Sequence, residues 1–134
     1  WKIAMKPGRP LAYGKINDCH FFGLPGNPVS VVVTFYQFVQ NALKILQGEN
    51  QAKMQPIQKI KSGERIRKIP GRTEYQRGII SFENGEWMVK TTGDQGSGIL
   101  SSVSQADCFI ILDATEETIE PGHYVNVQVL EGLV

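Results

Sequence analysis

The longest regular pattern of apolar positions in the sequence follows Pro28. Apolar residues recur there mostly at three- and four-residue steps, and they occupy two sides of the segment. They are Val29, Val31, Val32, Val33, Phe35, Tyr36, Phe38, Val39, Ala42, Leu43, Ile45 and Leu46. This pattern predicts a helix over residues 28–47 that is buried on more than one face. Gly48 is a typical residue to follow the end of a helix.

Short runs of strand-forming residues lie on both sides of the predicted helix. Before it, strands are predicted at residues 2–5, 11–16 and 19–24. After it, strands are predicted at residues 57–61, 65–69, 75–82, 87–92, 108–112 and 124–130. Asn84-Gly85 separates two of these runs and is typical of a two-residue hairpin turn.

The polar stretch at residues 49–56 has no periodicity and predicts a linker between two domains. We therefore expect an α/β segment of strands plus one long helix over residues 1–48. A small, mostly β domain should follow over residues 57–134.

Composition is that of a soluble globular protein. The chain has 134 residues, of which 41% are hydrophobic and 20% charged. No uninterrupted apolar run reaches the roughly eighteen residues of a membrane span, and no signal-peptide pattern is visible, so we expect a cytoplasmic location without a membrane partner. The sequence opens at Trp1 without a methionine, which favours a piece of a longer protein.

The cysteines and histidines give no sign of a metal site. Cys19 and Cys108 lie far apart and are predicted to be free thiols. Neither they nor His20 and His123 have a second ligand at the spacing that metals require. The sequence therefore predicts no metal ligands within this chain.

Charge is distributed unevenly along the chain. Residues 1–77 carry a net charge of +9 and residues 78–134 a net charge of −8. This asymmetry favours an anion-binding surface on the first part or packing of the two parts against each other, although ordinary solvated charge explains it too. The acidic second part and the lack of interleaved basic and aromatic residues argue against a nucleic-acid partner.

The segment Leu24-Pro25-Gly26-Asn27-Pro28 forms a corner before the predicted helix. Asn27 is a favoured N-cap and Pro28 suits the first helical position. Gly26 permits torsions or a close approach that a side chain would block. Free N–H groups at such a helix start attract anions, so Pro25, Gly26, Asn27 and Pro28 are candidate anion-binding residues. A helix start without a ligand remains the alternative.

Three cations lie near the N-terminus of the sequence. Lys2 and Lys6 have the same parity on the predicted first strand, so their ammonium groups would face one side. Arg9 follows in the stiff loop Pro7-Gly8-Arg9-Pro10. Lysine acts on phosphate as a point charge and arginine adds bidentate geometry, so these residues favour an anion site. Ordinary surface cations would give the same pattern.

The predicted β domain contains a second candidate region. Arg72 and Arg77 lie near turns, and residues 91–98 (TTGDQGSG) form a loop rich in glycine and hydroxyl groups. Such a loop can present N–H groups to an anion, with Ser97 or Thr92 donating hydrogen bonds. Asp94 is expected to cap its own turn rather than to act as a base or metal ligand. The loop matches neither a Walker A nor a Rossmann motif, and a flexible connection is the alternative.

Four stretches carry a family resemblance. They are WKIAMKPGRPLAYGK, FFGLPGNPVSVVVTFYQFVQNAL, PGRTEYQRG and TTGDQGSGILSSVSQADCFIIL. In this order they resemble the molybdopterin molybdenumtransferase family, which comprises bacterial MoeA and the C-terminal region of eukaryotic gephyrin. Family proteins are about three times longer. The resemblance therefore implies the tail of a doubly wound, MogA-like catalytic domain followed by the whole C-terminal β domain.

The resemblance also implies an activity. Family enzymes insert molybdate into adenylylated molybdopterin and release AMP, with Mg²⁺ ligands expected upstream of this chain. Roles are implied by motif position for several residues, with Arg9 standing where a lysine is common. They are Lys2 and Lys6 in the catalytic cleft, Pro25 and Pro28 shaping the pocket, and Arg77 and Ser97 in the β domain.

The resemblance leaves several matters open. A homodimer in which the β domain faces the cleft of the other subunit is implied, as are contacts with other molybdenum cofactor biosynthesis proteins. The chain alone is expected to be inactive because it holds part of a site, and molybdate cannot be told from tungstate. The alternative function is a gephyrin-type scaffold that binds partner peptides, although the sequence marks no apolar groove for them.

Overall fold

The central element of the computed structural model is a closed β-barrel of five strands. The structure describes residues 2–49, 56–96 and 100–131. The barrel strands are β4 (Ile57–Ser62), β5 (Thr73–Glu83), β6 (Glu86–Thr91), β7 (Cys108–Leu112) and β8 (Tyr124–Val129). They are arranged in the order β5-β6-β4-β8-β7, and pairing of β7 with β5 closes the barrel. Closure removes exposed sheet edges.

The barrel is closed around an apolar core. The buried residues are Ile60, Ile66, Val89, Cys108, Ile110, Leu112, Val125 and Val127. Strand β7, with the sequence CFIIL, is buried at every position, because its other face packs against the helix described below. The small, mostly β domain expected from the sequence is therefore confirmed.

Strands β5 and β6 are joined as the sequence predicts. Glu83 pairs with Glu86, and Asn84 and Gly85 between them have positive φ angles of 50° and 79°. These angles are typical of a type I′ turn, whose twist matches that of the two strands. The predicted Asn84-Gly85 hairpin is confirmed.

The residues before the barrel form a hairpin and one continuous helix. Strands β2 (Ala12–Ile16) and β3 (Cys19–Gly23) pair antiparallel. The helix comprises α1 (Pro28–Thr34), a π-helical segment (Phe35–Val39) and α2 (Gln40–Leu46). The predicted helix is confirmed, and the π-helical segment is a local widening that periodicity does not reveal.

Both ends of the helix follow the chemistry read from the sequence. The side chain of Asn27 accepts a hydrogen bond from the Ser30 N–H at 3.2 Å, and Pro28 occupies the first turn. Gly48 has a φ of 89°, and the N–H of Glu49 donates to the Lys44 carbonyl oxygen at 3.1 Å. This is a Schellman ending, which satisfies carbonyl groups of the last turn.

The helix and the first strand dock on the barrel. Met5, Val33, Tyr36 and Phe109 form a second buried cluster, in which the Tyr36 ring meets the Phe109 ring edge-on at 5.8 Å. Strand β1 (Met5–Lys6) pairs parallel with β5. The N-terminal segment therefore contributes a strand to the barrel sheet and a cover for β7.

Three expectations about local structure were wrong or incomplete. A strand over residues 2–5 does not form, because the Met5 N–H donates to the Ile3 carbonyl oxygen at 2.9 Å and bends the chain. Residues 65–69 are not a strand, since only an isolated bridge between Ile66 and Ile119 occurs there. A short helix, α3 (Ser101–Ser104), was not predicted. Most of the predicted linker, residues 50–55, lies outside the described residues.

The helix Pro28–Leu46 is long and apolar enough, by length and composition alone, to cross a membrane. The sequence expectation concerned an uninterrupted apolar run, and this helix is interrupted by polar residues such as Gln37, Gln40 and Lys44. The core helix of a soluble protein passes the same test, and Val33 and Tyr36 of this helix pack against the barrel. The lack of a membrane partner stays a prediction.

Candidate anion-binding cleft

Three adjoining cavities lie where the N-terminal segment meets the barrel. The first has a volume of about 480 Å³ and runs along Arg65 and Arg67. The second, of about 570 Å³, is lined by the loop around Gly8. The third, of about 450 Å³, is lined by Lys2. Lys6 lines the first and second cavities, and Arg9 and Arg72 line the second and third, so the cavities form one cleft.

The cleft is strongly basic. Among the described residues, its walls carry six cations and two carboxylates. The cations are Lys2, Lys6, Arg9, Arg65, Arg67 and Arg72, and the acids are Glu74 and Asp94. Of these cations, Arg65 pairs with Glu120 at 3.2 Å. Basic walls around a recess attract anions, as the uneven charge of the sequence suggested.

A close contact with the helix fixes the loop that holds Lys6 and Arg9. Gly8 has a φ of 96°, and a Cβ atom at this position would lie 2.6 Å from Oγ1 of Thr34. The Ile3 N–H donates to the Arg9 carbonyl oxygen at 2.8 Å and closes the loop. Only glycine fits both the torsion and the space, so the KPG motif seats the two cations beside the helix.

Lys2 and Lys6 do not line a common cavity. Lys2 forms an isolated bridge with Pro10 and lines the third cavity with Arg9 and Arg72. Lys6 lies on β1 and lines the other two. The expectation that the two lysines face the same side assumed a continuous strand from Lys2 to Lys6. The bend before Met5 interrupts that strand. Both lysines are nonetheless on the walls of one cleft.

The corner before the helix contributes less than expected. In the described part of the chain, Pro25, Gly26, Asn27 and Pro28 line none of the three cavities, whereas Ser30 lines the second. Gly26 has no positive φ, and a Cβ atom there would contact nothing within 4 Å. The expected special torsion at Gly26 was therefore wrong, and ligand contact by the four residues stays a prediction.

Arg77 lies behind the wall of the cleft. Its side chain is 1% exposed, and its Nε donates to Ser102 Oγ at 3.1 Å. Burial lowers the pKa of Arg77, and the nearby negative charge of Asp94 partly offsets this. Arg77 forms no ion pair within the described residues. A buried guanidinium that is not in direct contact with a carboxylate favours an incoming anion electrostatically.

The loop after β6 covers Arg77. Nη2 of Arg77 donates to the Gly96 carbonyl oxygen at 3.2 Å. Asp94 accepts a hydrogen bond from the Gly96 N–H at 2.8 Å, which confirms that it caps its own turn. Gln95 bonds to the backbone of Arg77 and lines two of the cavities. Ser97 lies outside the described residues, so its role stays a prediction.

The structure adds residues that the sequence did not single out. Arg65 and Arg67 both line the cleft. They are two residues apart, and in an extended chain such residues point to the same side, even though no strand forms here. Gln95 was hidden because a glutamine in a loop carries no distinctive signal. Glu74 is 8% exposed and accepts from Gln76 Nε2 at 3.0 Å.

The described residues do not supply a complete ligand set for a magnesium ion. They contain no group of three or more histidine, cysteine or acidic side chains that could hold a metal. Glu74 and Asp94 are the acids of the described cleft, and they line different cavities. Mg²⁺ usually takes one or two carboxylates together with substrate phosphates, so the carboxylates here would need ligands from elsewhere.

An apolar groove lies apart from the cleft. It has a volume of about 430 Å³ between the β2–β3 hairpin and the helix. Its walls include Tyr13, Phe22, Phe38 and Ile45, and the Tyr13 hydroxyl contacts His20 Nδ1 at 2.8 Å. The sequence did not mark this groove, because its two walls come from separate elements.

A small closed barrel joined to a hairpin-and-helix unit, with a basic cleft between them, defines a domain suited to holding an anion. The sequence matches the model of the MoeA C-terminal region (domain IV) over residues 59–130. The protein belongs to this family. The family resemblance read from the sequence is thereby confirmed.

Curated relatives extend the likeness to the N-terminal segment. A protein named molybdopterin molybdenumtransferase from Haemophilus influenzae is 41% identical over 129 residues, which cover 96% of this chain and 32% of that protein. Gephyrin of Dictyostelium discoideum is 34% identical, covering 93% of this chain and 21% of that protein. The chain thus spans about a third or less of these relatives.

Solved structures of family members show the same likeness. The crystal structure of the molybdopterin biosynthesis MoeA protein from Pyrococcus horikoshii OT3 matches with a TM-score of 0.71 and 29% identity. The match covers 96% of this chain and 31% of that chain. The likeness therefore includes the hairpin and the helix as well as the barrel.

Proposed function

We propose that this chain supplies an anion-binding cleft to the insertion of molybdate into adenylylated molybdopterin, a reaction that releases AMP. The observation that carries the proposal is the cleft between the N-terminal segment and the barrel, with six cations on its walls. Molybdate and phosphate are both tetrahedral oxyanions, so the same donors would hold the incoming ion and the adenylyl phosphate. Curated relatives bearing the name of this enzyme support the assignment.

The chemistry of the walls fits charge stabilisation. Phosphoryl transfer gains most from fixed cations that neutralise the charge developing on oxygen. Lys6 lies on β1, whose backbone pairs with β5, so the Cα atom of Lys6 is held in place. Arg77 adds a buried positive charge behind the loop. Binding and orientation of the anion are therefore the tasks of this chain, and Mg²⁺ would be held with help from other residues.

The proposal can be tested in a chimera. The corresponding region of the Haemophilus influenzae relative is replaced by this chain and expressed in a bacterium that lacks its own transferase. We expect molybdoenzyme activity to return. Lys6→Ala should lower the activity by about tenfold or more, since a charge-assisted contact contributes about 1.5–3 kcal/mol. Lys59→Ala is the matched control, because Lys59 is exposed on β4 outside the cleft.

A direct binding measurement separates the cleft from the rest of the reaction. The 134-residue chain is titrated with tungstate and with inorganic phosphate, and backbone amide signals are followed by NMR. Shifts should concentrate at Lys6, Gly8 and Gln95, and they should vanish in Lys6→Ala. A chimera that works while the chain binds neither ion would show that the cleft is not the anion site.

Several finer assignments belong to the same proposal. Residues 1–48 would be the tail of a doubly wound α/β domain, residues 49–56 a linker and residues 57–134 the C-terminal β domain. The family match begins at residue 59, close to the proposed boundary. The protein would act as a cytoplasmic homodimer, and its apolar groove and exposed helix end give a surface for further chain to cover. Sedimentation of the chimera tests the dimer.

The alternative is a scaffold that binds partner peptides. The apolar groove along Tyr13, Phe22 and Ile45 is the observation in its favour. A fluorescent apolar peptide library on the chain should show no saturable binding under the enzyme proposal. Saturable binding that Ile45→Asp removes, together with an inactive chimera, would favour the scaffold.

A further inference from the structure

Strand β6 stops pairing with β5 at the loop that begins with Thr92. The last pair of the two strands is Thr91 with Gly78. The next residue, Thr92, donates its N–H to the Arg77 carbonyl oxygen at 3.0 Å, and the chain then turns away. On this side of β5, the N–H of Arg77 has no strand to pair with. A backbone group left unpaired at such a site is costly, so another group must satisfy it.

The side-chain amide of Gln95 takes the place of the absent strand. Its Oε1 accepts a hydrogen bond from the Arg77 N–H at 2.7 Å. Its Nε2 lies 3.1 Å from the Arg77 carbonyl oxygen, 3.3 Å from Thr92 Oγ1 and 3.2 Å from the Gly93 carbonyl oxygen. A carboxamide carries the same donor and acceptor as a peptide group, so it can continue the ladder by one residue.

This arrangement folds the loop at residues 92–96 back over Arg77. The Arg77 guanidinium then reaches the Gly96 carbonyl oxygen, and Gly93, Asp94 and Gly96 become part of the cleft walls. Gln95 itself lines the first and second cavities, as Lys6 does. We call Gln95 and its hydrogen bonds to Arg77, Thr92 and Gly93 the clamp. The clamp lies where the first and second cavities adjoin, and Lys6 lines both.

We propose that Gln95 is a positioning residue for bound anion. It fixes the loop, and with it the Arg77 guanidinium and the backbone of residues 93–96, beside the two cavities that Lys6 also lines. Its own amide atoms are already engaged, so it acts through Arg77 and the loop rather than by touching the anion. The inference rests on the proposed function of the cleft.

Three substitutions test the clamp. Gln95→Met keeps the length of the side chain and removes both the donor and the acceptor. Thr92→Val removes the hydroxyl that accepts from Gln95, and Thr92→Ser keeps that hydroxyl and should behave as the natural chain. Gln58→Met is the matched control, because Gln58 is exposed on β4 and lines none of the cleft cavities.

Two measurements are made on the 134-residue chain. Amide hydrogen exchange follows the Arg77 N–H and, as a reference for barrel stability, the core strand residues Val89 and Val127. Titration with inorganic phosphate gives the dissociation constant. We expect Gln95→Met to speed exchange at Arg77 by about tenfold or more and to weaken phosphate binding about tenfold, since one lost polar contact of this kind changes an equilibrium by that order. Exchange at Val89 and Val127 should not change.

The outcomes distinguish this inference from the proposed function. Unchanged exchange at Arg77, or phosphate affinity equal to that of the natural chain, in Gln95→Met would overturn the positioning role. Equal acceleration at Val89 and Val127 would also overturn it, because Gln95 would then act on the whole barrel. If Gln95→Met does not fold, the contrast between Thr92→Val and Thr92→Ser decides by the same criteria. If the natural chain binds no phosphate, the proposed function of the cleft fails, and the positioning role fails with it.

Discussion

The guanidinium of Arg77 donates a hydrogen bond to the carbonyl oxygen of Gly96 at 3.2 Å. A buried cation on β5 thus holds the backbone of the loop that follows β6. The same side chain donates to Ser102 Oγ on α3 at 3.1 Å, so it connects two segments that are separate in sequence. Arginine suits this position because its planar group has several donors in a fixed geometry.

We predict that Arg77→Lys destabilises the protein although the charge is kept. A single ammonium group on a shorter stem cannot reach both Gly96 and Ser102, and loss of one bond to a charged group costs about 1.5–3 kcal/mol. Urea unfolding should show a lower midpoint. Arg65→Lys is the control, since an exposed pair such as Arg65–Glu120 contributes about 1 kcal/mol or less. Equal midpoints for the two variants would contradict the prediction.

The KPG loop leads to a prediction about two glycines. Gly8→Ala should destabilise the chain by more than about 1 kcal/mol, because φ is positive and the new methyl group would meet Thr34 Oγ1. Gly26→Ala should change stability by no more than about 0.5 kcal/mol, as a Cβ atom there has open space. Thermal unfolding of both variants gives the comparison. A large loss in Gly26→Ala would show that its backbone is more constrained than the structure shows.

Those features of the fold that depend on neighbouring residues alone could be predicted from the sequence. Asn27 and Pro28 set the helix start, Gly48 its end, and Asn84-Gly85 the hairpin, because each depends on neighbouring residues alone. The strand expected at residues 65–69 failed because strand-forming residues need a partner, and here Ile66 alone finds one in Ile119. The bend at Ile3–Met5 is likewise made by a backbone hydrogen bond. The side chains there give no sign of it, so the sequence could not predict it.

The cleft was only partly visible for the same reason. Lys6 and Arg9 were identified from the sequence, and they do line the cleft. Arg65, Arg67 and Gln95 join them because the barrel brings distant segments together, and separation along the chain hides that from sequence patterns. The PGNP corner had the strongest local signal, yet most of that signal is explained by capping of the helix.

Replacement of Thr34 by valine is predicted to increase stability. Its side chain is fully buried, and its Oγ1 has no hydrogen-bond partner among the described residues. Thr34→Val has nearly the same shape and removes the unsatisfied hydroxyl, so the free energy of unfolding should rise by about 1 kcal/mol. Ser30→Ala is a useful contrast, because Ser30 lines the cleft and its loss should not stabilise. A decrease in stability for Thr34→Val would mean that the hydroxyl has a partner.

The buried thiol of Cys108 should make the stability of the protein depend on pH. Burial, and secondly the negative charge of Asp107, raise the pKa of the Cys108 thiol from 9.0 to about 12, while a hydrogen bond with the Gly78 backbone opposes the shift. Above pH 9.0 the thiol of the unfolded chain loses its proton while the folded thiol keeps it. The unfolded state then binds fewer protons, so the free energy of unfolding falls as pH rises through this window.

The expected loss from this one group between pH 8 and pH 10 is about 1.4 kcal/mol, and it depends mainly on the unfolded pKa, because the folded value lies well above the range. Urea unfolding at both pH values measures it. Cys108→Ala should be less stable at pH 8, since a buried side chain is shortened, but its stability should fall less by pH 10. Cys19→Ala is the control for removal of a thiol as such, because Cys19 is exposed. If Cys108→Ala and the natural chain lose the same stability over this range, the folded thiol ionises as readily as the unfolded one and the packing of β7 against β5 is looser than described.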